Sequence, residues 1–190
     1  MKNKKLIIIG IVIAVIVVLI GSLIGSYNNF VERSERVTAA SAEISTQLQR
    51  RADLIPNFVA TVKGYSDYEQ ETFTAVTEAR NAVANADSVG EQAAASQRLD
   101  SAIDIWVNAV TEAYPELKAS EQYIGLQDEL TGTENRIAQA RRDYNERAKE
   151  FNVSIKKFPR NLLAGIFGFE AYEYFEADSD AQDVPQVSFN

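Results

Sequence analysis

The chain has 190 residues, a formal net charge of −8, and neither cysteine nor histidine. Without cysteine there are no disulfides, no thiol catalysis and no lipoprotein-type acylation; without histidine the commonest general base and the commonest transition-metal ligand are gone. Any metal site would rest on carboxylates and suit only hard ions, no cofactor is expected, and the acidic balance repels nucleic-acid backbones.

In chain order, Met1–Lys5 carries three lysines and is followed by nineteen uncharged residues, Leu6 to Ile24. As a helix that run spans roughly 28 Å, close to the ~30 Å hydrocarbon thickness of a bilayer. A cleaved secretory signal is the alternative, but its apolar core is usually only ~7–15 residues and ends in a small-x-small site. Here the candidate sites, Leu23-Ile24-Gly25 and Ile24-Gly25-Ser26, place a bulky residue where a small one is needed. Residues 1–26 are therefore read as a retained signal anchor that holds the chain in a membrane. Lys2, Lys4 and Lys5 precede the run and only Arg33 and Arg36 follow it closely, so the N-terminus is expected in the cytoplasm and the domain outside.

Beyond the span the chain carries 16 basic and 27 acidic residues, since three of the 19 basic residues precede it. From Tyr27 to Phe158 it reads as helix, rich in Ala, Glu, Gln, Arg and Leu, with no sustained strand alternation. Val37, Ser41, Ile44, Leu48, Arg51, Ile55, Phe58, Val62 and Tyr65 follow heptad spacing. So do Tyr123, Leu126, Leu130, Thr133, Ile137, Ala140 and Tyr144, with Ala148, Phe151, Ile155 and Phe158 continuing after a one-residue shift. Such spacing builds helices that pack at shallow angles.

Breaks follow from local chemistry. Gly64 ends the first helix, Ser66-x-x-Glu69 and Ser88-x-x-Glu91 are capping boxes, Tyr114-Pro115 ends the third helix, Ser120 caps the fourth, and Pro159 closes it. The heptad phase runs through Pro56 and Gly132, so these are read as a kink and a weak spot within continuous helices. The expectation is an all-α chain: a transmembrane helix, then an antiparallel four-helix, coiled-coil-like bundle with helices near 27–63, 67–86, 91–113 and 121–158. By segment, 27–160 is the bundle, 161–177 an apolar membrane-proximal segment and 178–190 an acidic, disordered tail.

Several stretches, in this order, resemble the LemA family: Gln47–Asn57 (QLQRRADLIPN), Val62–Glu69 (VKGYSDYE), Ala79-Arg80, Glu112–Lys118 (EAYPELK), Leu126–Leu130 (LQDEL), Thr133–Ile137 (TENRI), Ala140–Asn145 (ARRDYN), Phe151-Asn152 and Phe158-Pro159. The resemblance covers residues 27 to 169. Tyr68 departs from it, standing where many members carry histidine, so no titrating role transfers there. The resemblance implies a bacterial membrane protein with a helical bundle and no assigned reaction. Its members are often encoded near membrane metalloproteases or other envelope proteins, which implies a role in membrane assemblies.

Two groups of residues stand out as candidate sites. Arg51, Asp53 and Asn57 on the first helix, with Glu134, Arg141 and Asn145 on the fourth, form a candidate polar network that fixes helix register; an antiparallel crossing of the long helices places Arg51 opposite Glu134 and Ile44 opposite Arg141. The sharper alternative is a carboxylate–guanidinium ligand site. The apolar octet 162–169 supplies Leu162, Leu163, Ile166, Phe167 and Phe169, which either cover the end of the bundle or contact the membrane or a partner. The function expected is that of a non-enzymatic scaffold or adaptor, held in membrane lipid by its span and binding envelope proteins or its own copies. The alternative is a sensory or regulatory module that passes a ligand signal across the membrane.

Overall fold

The computed structural model describes residues 2–63, 70–86 and 88–176. These residues form α1 (Lys2–Lys63), α2 (Gln70–Ala84), α3 (Val89–Ala113), a 3-10 turn (Pro115–Ala119), α4 (Glu121–Lys156) and α5 (Arg160–Phe167), with no strand among them. The four expected helices correspond to α1 through α4. Gly25 and Ser26 do not stop α1, which runs without a break from the apolar stretch into the domain, and the apolar octet contributes a fifth helix that the spacing did not predict. The expected cap and box at Gly64 and Ser66–Glu69, and the tail from 177 onward, lie outside the described residues.

Packing divides the chain into two units whose boundaries fall inside both long helices. One comprises residues 42–142 with 173–176, the other residues 2–41 with 143–172.

In the first unit, the C-terminal part of α1, α2, α3 and the N-terminal part of α4 surround an apolar core. The heptad positions supply it: Ile44, Leu48, Ile55 and Phe58 from α1, and Tyr123, Leu130, Ile137 and Ala140 from α4, are all buried. Phe58 meets Trp106 of α3 edge-on with ring centres 5.2 Å apart, and Tyr123 of α4 at 5.5 Å. Arg50 of α1 lies 3.6 Å from Glu129 of α4. Residue numbers rise along one helix as they fall along the other, so this crossing is antiparallel.

Local chemistry explains the ends. Ser88 caps α3 with a complete capping box: its hydroxyl accepts from the Glu91 amide, and the Glu91 carboxylate accepts from the Ser88 amide. Tyr114 leaves the helical region before Pro115, which opens the 3-10 turn. The Ser120 carbonyl accepts the first bond of α4, from Ile124 N–H at 3.0 Å.

Pro56 does not break α1. A helical proline has no N–H for the carbonyl four residues back, here that of Ala52. Ala52 is 1% exposed, so water does not replace the lost donor. Arg80 of α2 supplies it, donating from Nε to the Ala52 carbonyl at 3.1 Å.

In the second unit, Phe30 and Val37 of α1 pack with Tyr144, Ala148, Phe151 and Ile155 of α4 in the buried core, and Arg33 lies 3.5 Å from Glu150. The last expected heptad position, Phe158, is instead 82% exposed, because α4 stops at Lys156 and the chain turns at Pro159. Gly168, at φ 73°, ends α5 in the left-handed conformation and turns the chain back, so that Phe169 lands among Tyr27, Phe30 and Phe151. Asn152 then clamps the returning segment: its amide donates to the Tyr172 carbonyl and its side-chain oxygen accepts from Tyr172 N–H, each at 2.8 Å.

The side chains of Leu6 to Ile24 are all exposed. This part of α1 has the length and composition to cross a membrane.

Candidate functional site

Among the described residues, the unit of residues 42–142 buries Arg51, Ser96, Thr111 and Thr133 among apolar side chains. Arg51 occupies a heptad position that would ordinarily be apolar, and it is 4% exposed. A guanidinium so placed needs a compensating charge. Asp100 of α3 provides it, with Oδ1 3.0 Å from Arg51 Nη2. The pair sits at ion-pair distance without hydrogen-bonding geometry, and Arg51 Nε has no hydrogen-bond partner among the described residues.

The partner expected for Arg51 was Glu134. The antiparallel crossing is displaced from that expectation by more than one helical turn, as Arg50 against Glu129 and Phe58 against Tyr123 show. Glu134 is exposed, yet it remains near enough to act on Asp100. Burial above all pushes the Asp100 carboxyl up from its ordinary value; Arg51 pulls it down, Glu134 raises it, Arg141 lowers it and Asp104 raises it. Asp100 thus sits among four other charges drawn from α1, α3 and α4.

The remaining candidates occupy different surroundings. Arg141 is half-buried, with its guanidinium carbon 5.5 Å from the centre of the Phe175 ring. Asp53 is exposed, accepts from Gln49 Nε2 at 2.8 Å and lies 4.0 Å from Arg80. Asn57 is exposed, and its backbone carbonyl accepts from the Thr61 hydroxyl at 3.0 Å. Asn145 falls in the other unit, half-buried.

Sequence reasoning missed the α3 contribution. Gln92, Ser96 and Asp100 recur every fourth residue, and each has a buried oxygen without hydrogen-bonding geometry to any described residue. Gln92 also donates to the Ser45 hydroxyl at 3.1 Å. That spacing on one helix face was available as a signal. It resembles a solvated polar stripe until the bundle is assembled around it. Among the described residues, no three acidic side chains are grouped to hold a metal ion.

The octet residues lie in the other unit. Leu162 and Ile166 are exposed, Phe167 is 40% exposed while touching Tyr27 edge-on, and Leu163 and Phe169 are half-buried.

Three relatives are similar in sequence to this chain over most of its length. Magnetosome protein MamQ 1 of Paramagnetospirillum magneticum is 28% identical over 88% of this chain and 70% of its own. Magnetosome protein MamQ of Magnetospirillum gryphiswaldense is 26% identical over the same shares. Protein LemA of Metamycoplasma hominis is 28% identical over 85% of this chain and 76% of its own. The family model for LemA matches residues 40–189, which takes in the α1–α3 polar pair, the Pro56–Arg80 repair and the Asn152 clamp. With its apolar N-terminal helix and this match over most of its length, the chain is a membrane-associated protein that belongs to the LemA family.

Proposed function

We propose that this protein is a scaffold or adaptor of the bacterial cell envelope that works by protein–protein contact and catalyses no reaction. Its N-terminus is cytoplasmic and its helical domain lies on the opposite side of the plasma membrane.

The observation that carries this reading is the use made of the charged side chains. Arg51 with Asp100, Arg50 with Glu129, Arg80 with Asp53 and Arg33 with Glu150 each tie one helix to another. Charges committed in this way fix register and orientation, which is what a body that presents surfaces to partners requires. The names of the MamQ relatives are consistent with this reading, since they refer to a cellular structure and not to a reaction. The three lysines before the apolar run favour the orientation.

The test is site-specific photo-crosslinking from exposed positions such as Thr46 and Ile124 of the full-length chain in intact membranes. Discrete adducts with one or a few envelope proteins, or with a second copy, support the scaffold. A clean monomer at every position, together with a small molecule that stays bound through purification, supports the sensory alternative.

A further inference from the structure

We infer that α5 is a second membrane contact: the row formed by Leu162 and Ile166 of the helix, with Phe158 of the turn before it, sits at the boundary between lipid headgroups and acyl chains, beside the point where α1 leaves the bilayer. This rests on reading Leu6–Ile24 as the span.

Leu162 and Ile166 lie one turn apart on α5 and are 59% and 75% exposed, and Phe158, 82% exposed, stands in the turn just before the helix, so three large apolar side chains are uncovered within nine residues. The opposite face of the segment is the one that packs. Ala164 is buried, and Phe167 and Phe169 reach Tyr27 with ring centres 5.0 and 6.0 Å apart.

Those contacts fix where the row lies along α1. Tyr27 follows the last residue of the apolar run by three positions, about 4.5 Å along the helix axis. At the other end of α5, Arg160 Nη1 donates to Asn29 Oδ1 at 3.2 Å. Both ends of α5 therefore meet α1 within the single turn Tyr27–Phe30. An eight-residue helix is about 12 Å long, so contacts from both of its ends to one turn of α1 favour a course across α1 over one along it. A helix crossing a membrane span at its exit lies near the plane of the bilayer surface. Interfacial helices adopt that attitude, with the apolar face about 5–10 Å into the boundary region.

The flanking chemistry fits the same occupant. Lys156 and Lys157 are exposed immediately before the row, and with Arg160 they form a local basic cluster in an acidic protein. Tyr27, 43% exposed beside α5, is of a residue type enriched at membrane–water interfaces. Apolar side chains flanked by bases match lipid with anionic headgroups, and the surface is continuous with the lipid-facing surface of the span.

The chain has no cysteine, so single-cysteine variants of the full-length protein report without background. Leu162→Cys and Ile166→Cys, each carrying an environment-sensitive fluorophore, would be reconstituted alone in vesicles of phosphatidylcholine and phosphatidylglycerol. Ile13→Cys in the span and Ile105→Cys on α3 serve as references. The expected result is a blue-shifted emission at 162 and 166, with quenching by nitroxide high on the acyl chain about twofold stronger than by nitroxide near the bilayer centre. Ile13→Cys should show the reverse depth preference and Ile105→Cys neither. If Ile13→Cys is quenched but Leu162→Cys and Ile166→Cys remain in water, the inference is overturned. If those two are shielded in native membranes but not in pure lipid, the occupant is a protein and the lipid assignment is wrong. If Ile13→Cys itself escapes lipid quenchers, the span reading has failed.

Discussion

Arg80 Nε donates to the backbone carbonyl of Ala52, the acceptor that Pro56 leaves without its helical partner. One side chain from α2 thereby makes a proline tolerable inside α1, two turns before its C-terminal end. A buried carbonyl without a donor costs about 1–3 kcal/mol.

Replacing Arg80 by Leu should therefore destabilise the full-length protein by about 1–2 kcal/mol, the lower part of that range because the Arg80 side chain is 36% exposed. The effect should depend on Pro56. In a Pro56→Ala background, residue 56 regains an N–H for Ala52, and Arg80→Leu should cost less. Thermal unfolding of the two single variants and the double variant in detergent micelles gives the coupling. Equal costs in both backgrounds would show that Arg80 does not serve the orphan carbonyl.

Arg51 offers a different test, because its charge and its bulk separate. Arg51→Ala leaves a core vacancy and a partly buried carboxylate without its cation, and should cost about 2–4 kcal/mol. Arg51→Met keeps most of the stem volume and should cost markedly less. Comparable losses for the two would place the contribution in the ion pair and not in packing.

The pH dependence follows from Asp100. Its carboxyl is raised above 3.8 in the folded protein, so the fold holds this proton at pH values where the unfolded chain has released it. The stability that this adds is complete below 3.8 and is lost as pH rises through the raised folded value. Asp100→Asn should flatten that part of the stability profile while leaving the contributions of other carboxylates. An unchanged slope above pH 3.8 would mean that burial does not raise the Asp100 carboxyl.

Much of this architecture was legible because heptad spacing reports directly on burial. Ile44, Leu48, Ile55, Phe58, Tyr123 and Ile137 were all named from their spacing and all lie in the core. Continuity through Pro56 was legible for the same reason. The partner of Arg51 was not. Heptads define which face of a helix is buried but leave its axial offset free, and a shift of a little more than one turn moves Glu134 away and leaves Asp100 as the counterion. The α5 helix was hidden by its composition, since eight apolar and glycine residues read equally as helix, coil or linker until Gly168 is seen to turn the chain.

The single tryptophan supplies a spectroscopic check on the core. Trp106 is 3% exposed and packed edge-on against Phe58, so its emission should be blue-shifted and poorly quenched by iodide. Phe58→Ala should cost about 3–5 kcal/mol and shift the emission toward red. Emission typical of solvated indole in the unsubstituted protein would contradict the packing of α1 against α3.

The proposed topology, a retained anchor with the helical domain outside the cytoplasm, is measured directly by labelling Ile105→Cys in living cells with a membrane-impermeant maleimide, followed by alkaline washing of the membranes. The side chain at 105 is 62% exposed, and no other cysteine competes for the reagent. The account predicts full labelling of intact cells, with the labelled chain remaining in the washed membrane pellet. Labelling only after lysis would reverse the orientation, and labelled protein released into the wash would show that the apolar segment does not hold the chain in the bilayer.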